Sequence, residues 1–145
     1  MTQEHKELLL KDLCSRLPYH IKVYDKNGNF NTSYVNLLHI NGNVSEAFVG
    51  NGMQCRTAPI DEIKPYLFPL SSMTEEQWNN APRANLTNFT FESLKCGCFT
   101  LASYTCENDL YDLVEFINWL IENHFDIYGL IPLGLALDAT NLNIY

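Results

Sequence analysis

The sequence predicts an α+β fold, in which an antiparallel β-meander of about three to five strands packs against an N-terminal helix and a long C-terminal helix. Three observations support this prediction: leucines at helical spacing near the N-terminus, alternating apolar and polar residues over residues 19–49, and a second helical pattern over residues 108–125. A chain of 145 residues is the size of one domain, so we expect a single domain over residues 1–145.

The N-terminal pattern predicts an amphipathic helix from Gln3 to Arg16. Its leucines recur at the spacing that lines one helix face, and charged residues lie between them. Pro18 pushes the residue before it out of helical geometry, which ends the helix. Packing against a sheet is the simplest use of the apolar face.

The alternating segment predicts a meander of strands joined by tight turns. Residues 19–24 form the first expected strand, and the Asn-Gly pair within residues 25–29 makes the first turn. A second strand is expected over residues 30–40. After a turn at residues 41–43, residues 44–49 return as a third strand.

The central region is less regular. Residues 53–59 are compatible with a short edge strand, and two prolines in residues 60–70 exclude regular helix there, so we expect a structured connection pinned to the core. A capping box starting at Ser72 or Thr74 predicts a helix that the following asparagines and proline keep short. Residues 86–105 suggest one or two strands or an ordered loop.

The longest helical pattern predicts a helix over residues 108–125, capped by Asn108. Acidic residues cover its polar surface with no basic residue to balance them, which is most often simply a solvated face. Its aromatic side chains serve the core or an interface. The apolar residues 125–137 must dock onto the body of the protein or onto another copy. The aliphatic side chains expected to form the packed face are Leu110, Leu113, Val114, Ile117, Leu120 and Ile121.

The composition narrows the classes of partner. A net charge of −8 argues against direct binding of nucleic acid, which needs a basic surface, and against anionic lipid surfaces. Only 18% of residues are charged, too few for a mimic of DNA. The N-terminal residues lack a signal-peptide pattern, and no apolar run is long enough to span a bilayer. We therefore expect a cytoplasmic protein that does not associate with membranes.

The sequence contains no recognisable catalytic, cofactor or metal motif. Five cysteines suggest buried thiols in a reducing compartment. Cys96, Cys98 and Cys106 fit zinc poorly, because a gap of one residue strains tetrahedral coordination. His124 follows the long helix, where the helix dipole favours a cation, and no nucleophile motif accompanies it. We expect no cofactor, no bound metal and no enzymatic activity.

Seven stretches of the sequence stand out: residues 7–19, 64–67, 69–76, 119–120, 124–126, 129–131 and 134–137. Together they resemble small uncharacterised proteins encoded by gut-bacterial phages and mobile elements. The sequence departs from that pattern at residues 79–82, which break a helix that the relatives continue, and around residues 96–106. The resemblance lends no catalytic residues; it implies a small accessory protein acting inside a bacterium.

These observations predict an intracellular accessory protein that binds a host protein, with inhibition of a defence system as one role. The alternative is a protein that binds or sequesters a small molecule or nucleotide, as a homo-oligomer with its pocket at an interface or between the meander and the helix. The expected partner-binding residues lie on the long helix: Asp109, Asp112, Glu115, Trp119 and Glu122.

Overall fold

The computed structural model describes residues 1–27, 33–41, 44–50, 54–82, 90–96 and 107–145. The chain forms two compact units: unit 1 comprises Met1–Leu67 with Tyr128–Tyr145, and unit 2 comprises Phe68–Ile127. Helices and a mostly antiparallel sheet are both present, which confirms the α+β class. The expectation of a single domain stays a prediction, since two compact units can belong to one domain.

Unit 1 begins with α1, Gln3–Arg16, at the predicted boundaries. Thr2 caps it, because its hydroxyl accepts a hydrogen bond from the His5 amide at 3.2 Å. Leu9 and Leu13 are buried on its inner face. A single 3-10 turn over Leu17–Tyr19 carries Pro18 near its start and leads into the sheet.

The sheet has six strands among the described residues: β1 Lys22–Asp25, β2 Ser33–Asn41, β3 Val44–Gly50, β4 Cys55–Pro59, β5 Ile63–Leu67 and β6 Leu137–Asp138. Their order is β4-β3-β2-β1-β5-β6, and all neighbours are antiparallel except β5 and β6. The predicted meander and the edge strand near residues 53–59 are confirmed. Residues 28–29 and 42–43 of the two predicted turns, and residues 30–32 at the start of the second expected strand, lie outside the described residues.

Strand β5 corrects the prediction of an irregular connection over residues 60–70. Pro65 pairs with Val23 of β1, while β6 pairs only with Tyr66 and Leu67. Pro65 therefore has a neighbouring strand on one side only, where a residue without an amide hydrogen is tolerated. The region contains no α-helix, as the prolines predict, but the pairing of β5 with a strand some forty residues away is not visible in a local pattern.

An ion-pair cluster shows that the sheet curls. Arg56 on β4 contacts Asp25 at the end of β1, although β3 and β2 lie between these strands in the sheet order. Its Nε donates to Asp25 Oδ2 at 2.7 Å, and its Nη2 donates to Glu62 Oε2 at 3.1 Å. The guanidinium thus ties the two margins of the meander together.

The apolar segment after unit 2 completes the core of unit 1. Leu130, Leu135 and Ala136 are buried with the inward side chains of α1 and the sheet, which confirms that this segment docks on the protein. The last residue also packs on unit 1. The Tyr145 hydroxyl donates to the Tyr66 carbonyl at 2.9 Å, and burial raises its pKa well above the usual tyrosine range.

Unit 2 is helical in its described part: α2 Glu75–Asn80, α3 Phe91–Lys95 and α4 Glu107–Glu122. The capping box of α2 uses Thr74 and Gln77, and the helix is short as expected. Helix α3 corrects the prediction of strands or loop for residues 86–105, since Thr90 forms a second capping box there; residues 83–89 and 97–106 lie outside the described structure. Helix α4 starts before Asn108, which is therefore not its cap.

Helix α4 ends in a left-handed residue. His124 has φ of 61°, its amide donates to Ile121, and the next amide, of Phe125, donates back to Leu120 at 2.9 Å. This is the hydrogen-bond pattern of a Schellman cap, with histidine where glycine is usual. Among the described residues, no helix is both long and apolar enough to cross a bilayer.

Candidate protein-binding surface on helix α4

Helix α4 is rotated relative to the prediction. Its buried residues include Leu113, Phe116 and Leu120, whereas three of the aliphatic residues expected in the core face solvent. Leu110 is 60% exposed, Val114 49% and Ile117 36%. The predicted packed face was therefore wrong for half of its six members.

Aromatic packing explains the rotation. The Phe116 ring meets Trp78 of α2 edge-on at 5.9 Å and stacks on Trp119 at 6.3 Å. Trp119 also stacks on Phe125 at 6.0 Å. Large rings bury more apolar area than aliphatic side chains, so the orientation that buries them prevails and turns the aliphatic stripe outward. This cluster forms the core of unit 2 with Met73 and Leu94.

Trp119 therefore differs from the other expected partner-binding residues. It is half-buried within the aromatic cluster, so its packing role is visible in the structure. The exposed aromatic residue on α4 is Tyr111, which is 64% exposed. Its hydroxyl donates to Glu115 one turn later, and this hydrogen bond raises the pKa of Tyr111.

The predicted acidic residues occupy different positions around the helix. Glu115 and Glu122 are exposed, and Asp112 is half-buried. The backbone of Asp109 belongs to α4, but its side chain lies outside the described residues. We define the α4 surface as the exposed stripe and the carboxylates beside it: Leu110, Tyr111, Val114, Glu115, Ile117 and Glu122.

The acidity of the protein is concentrated in unit 2, which contains α4. Unit 2 contains nine of the 17 acidic residues but two of the nine basic ones, Arg83 and Lys95. Unit 1 is nearly balanced, with eight acidic and seven basic residues. Helix α4 itself contains no lysine or arginine. The field around the exposed stripe is therefore negative.

The cysteines differ from the expectation of buried thiols. Cys14, Cys55 and Cys96 are exposed. Cys98 and Cys106, the other members of the weighed zinc set, lie outside the described residues. Within the ranges that the structure describes, no group of three or more His, Cys, Asp or Glu side chains is arranged to hold a metal ion.

The exposed stripe is the feature that the sequence did not reveal. The apolar residues of α4 span an arc wide enough for two surfaces, and helical spacing does not say which part is buried. A search of protein-family models, of curated proteins and of solved structures finds nothing that matches this chain. The resemblance to phage and mobile-element proteins stays a prediction.

Proposed function

We propose that this protein acts by binding another protein through the α4 surface. The observation that carries the proposal is the exposure of Leu110, Val114 and Ile117 along one helix, three large aliphatic side chains that folding leaves in water. Such a row at i, i+4 and i+7 matches the anchors by which helices dock into apolar grooves. Covering it would release a contiguous apolar strip from water.

The charge pattern supports a partner with a basic rim. Glu115 and Glu122 lie on the solvent side of the stripe, and the unit around them has a large acidic excess. A groove flanked by lysines or arginines would meet these carboxylates, and long-range attraction would speed the encounter. Like-charged partners would be rejected, so the carboxylates act mainly in selecting the partner.

The rigid base of the surface favours binding by a preformed helix. The aromatic cluster beneath α4 fixes its rotation, and the Tyr111–Glu115 hydrogen bond orders part of the rim. A helix already held in its binding conformation avoids the entropy loss of folding on contact. The setting we propose is the bacterial cytoplasm, with a host protein as partner and inhibition of a defence system as the consequence; enzymatic activity is not part of the proposal.

The experiment is affinity purification from a bacterial lysate with the wild-type protein and three variants. Val114→Asp removes one of the apolar anchors. Glu115→Lys with Glu122→Lys reverses the charge of the two glutamates beside the exposed stripe. The control, Glu4→Lys with Glu7→Lys, makes the same change in net charge on exposed residues of α1. We expect a stoichiometric partner that the control retains and both α4 variants lose.

All forms are first checked for unchanged thermal unfolding, since the altered residues are exposed. Recovery of the same proteins by wild type and both α4 variants would overturn the proposal. Loss of the partner by the α1 control to the same extent would show that only net charge matters, and would also exclude docking at α4.

A further inference from the structure

A β-bulge places a leucine on the outer face of the sheet. The register between β2 and β3 shifts between Val35 and Leu37, so the inward Val35 is followed by an extra residue before Leu37 points outward. Leu37 is 59% exposed as a result, and the next residue, Leu38, turns inward to pack against the core of unit 1. Bulges commonly re-aim a side chain in this way.

The outward residues of β2 and β3 form three cross-strand pairs. Tyr34 lies opposite Gly50, Leu37 opposite Phe48, and His39 opposite Glu46. Phe48 is 41% exposed and Tyr34 36%, so each of these two rows presents a large apolar side chain to water. A shallow depression of about 260 Å³ lies among Leu37, His39, Glu46 and Phe48. We call these six residues the outer sheet patch.

This patch is complementary to itself. Consider a twofold axis that lies between the two stacked sheets, bisects their strand directions and passes midway between β2 and β3. It would place each residue of β2 opposite its β3 partner in the other copy. Leu37 of one copy would then face Phe48 of the other, while Tyr34 would face the buried Gly50 position, where Gln54 and Cys55 of the same chain fill the space of a side chain. His39 would face a carboxylate, that of Glu46. The Leu37–Phe48 row thus meets an apolar row, and the His39–Glu46 row meets a row of complementary charge.

The usual geometry of stacked sheets allows these contacts. Face-to-face sheets pack about 10 Å apart with their strands rotated by about 30°. Rows two residues apart lie about 7 Å from each other along a strand, so the rotation displaces the outer rows by about 3.5 Å. That displacement is smaller than the spacing of about 4.8 Å between strands, and side chains of this length span it.

We propose that the outer sheet patch packs against the same patch of a second copy, around this twofold axis. Charge favours a second copy as the occupant. Unit 1 is nearly neutral, so two such faces meet without strong repulsion, and the one carboxylate in the patch is placed against an imidazole.

Sedimentation equilibrium of the full-length protein tests the proposal, over micromolar to millimolar concentrations. We expect a monomer–dimer equilibrium that Leu37→Glu weakens by about 100-fold or more, because two uncompensated carboxylates enter the interface. Leu133→Glu is the matched control, since Leu133 is an exposed leucine of unit 1 outside the patch, and it is expected to leave the dimer unchanged. A protein that is monomeric throughout, or a dimer lost equally with both variants, would overturn the proposal.

A mixing experiment tests the axis itself. Glu46→Lys alone places a lysine against His39 of the other copy, and His39→Glu alone places a glutamate against Glu46, so each variant should dimerise about tenfold more weakly. In a one-to-one mixture, the heterodimer contains one unchanged pair of His39 with Glu46 and one pair of the introduced lysine with the introduced glutamate. We therefore expect a heterodimer as strong as the wild-type dimer. A mixture no stronger than the separate variants would refute this axis. These measurements involve no other protein, so they stand or fall independently of partner binding by α4.

Discussion

Replacing one member of the buried ion pair in α1 should destabilise the protein far more than replacing both. Arg16 donates from Nε to both carboxylate oxygens of Asp12 at 2.9 Å, and from Nη2 to one of them at 2.8 Å. Both side chains are fully buried. Asp12→Leu or Arg16→Met alone would leave a charge without its partner in the core, which destabilises proteins by about 3–5 kcal/mol.

That loss is large compared with the total stability of about 5–15 kcal/mol for ordinary domains. In the double variant both charges are gone and apolar side chains of similar length fill the site, so most of the loss should be recovered. Urea unfolding of the four proteins gives a coupling energy, expected to be at least about 2 kcal/mol. Glu7→Ala, which breaks the exposed Gln3–Glu7 hydrogen bond of the same helix, should change stability by about 0.5 kcal/mol or less. Additive losses in the two single variants would refute the reasoning.

Three further predictions concern stability. In urea titrations, Leu113→Ala should lower the free energy of unfolding by about 2–5 kcal/mol, because Leu113 is buried. The adjacent Val114→Ala should lower it by less than about 1 kcal/mol, because Val114 is exposed. Equal losses would contradict the rotation of α4. The pKa of Glu62 is lowered, first by a hydrogen bond from Asn27, so the pair stabilises the fold above the ordinary glutamate pKa of 4.5 and loses its effect as the pH falls through the lower folded value. The free energies of unfolding of wild type and Glu62→Gln should therefore differ at neutral pH and converge in acid. A difference that stays constant at all pH values would exclude this linkage. Gly134→Ala should lower stability by about 1–2 kcal/mol, because φ is +70° while the space around a Cβ is open, and calorimetry showing no change would reject backbone strain as the cause.

The features that sequence predicted well are those determined by neighbouring residues. Helix α1 has the predicted bounds, Gln3–Arg16, although Leu17 before Pro18 keeps helical dihedrals and leads into a 3-10 turn. The capping box of Thr74 and Gln77 likewise uses residues three apart. Local signals of this kind do not depend on the rest of the fold.

The features that sequence missed depend on distant partners. Whether α4 buries Phe116 or Val114 is decided by rings from other segments, such as Trp78 and Phe125. The alternation in β2 would place Leu37 inward, beside Val35, and only the bulge against β3 turns it out. The sequence therefore predicted helix α4 and the acidic residues of its candidate surface. It did not predict the exposed apolar stripe.

The way the chain leaves and re-enters unit 1 has a consequence for its synthesis. Unit 1 is interrupted after Leu67 and resumes at Tyr128, and the ends of the intervening unit 2 are neighbours, since Phe68 exchanges backbone hydrogen bonds with His124 and Asp126. A ribosome making this chain releases α1 and five strands long before the residues that complete their core, Leu130, Leu135 and Ala136. The apolar surface of the nascent N-terminal half therefore stays exposed until those residues are synthesised. Chaperones bind unfinished proteins in this condition.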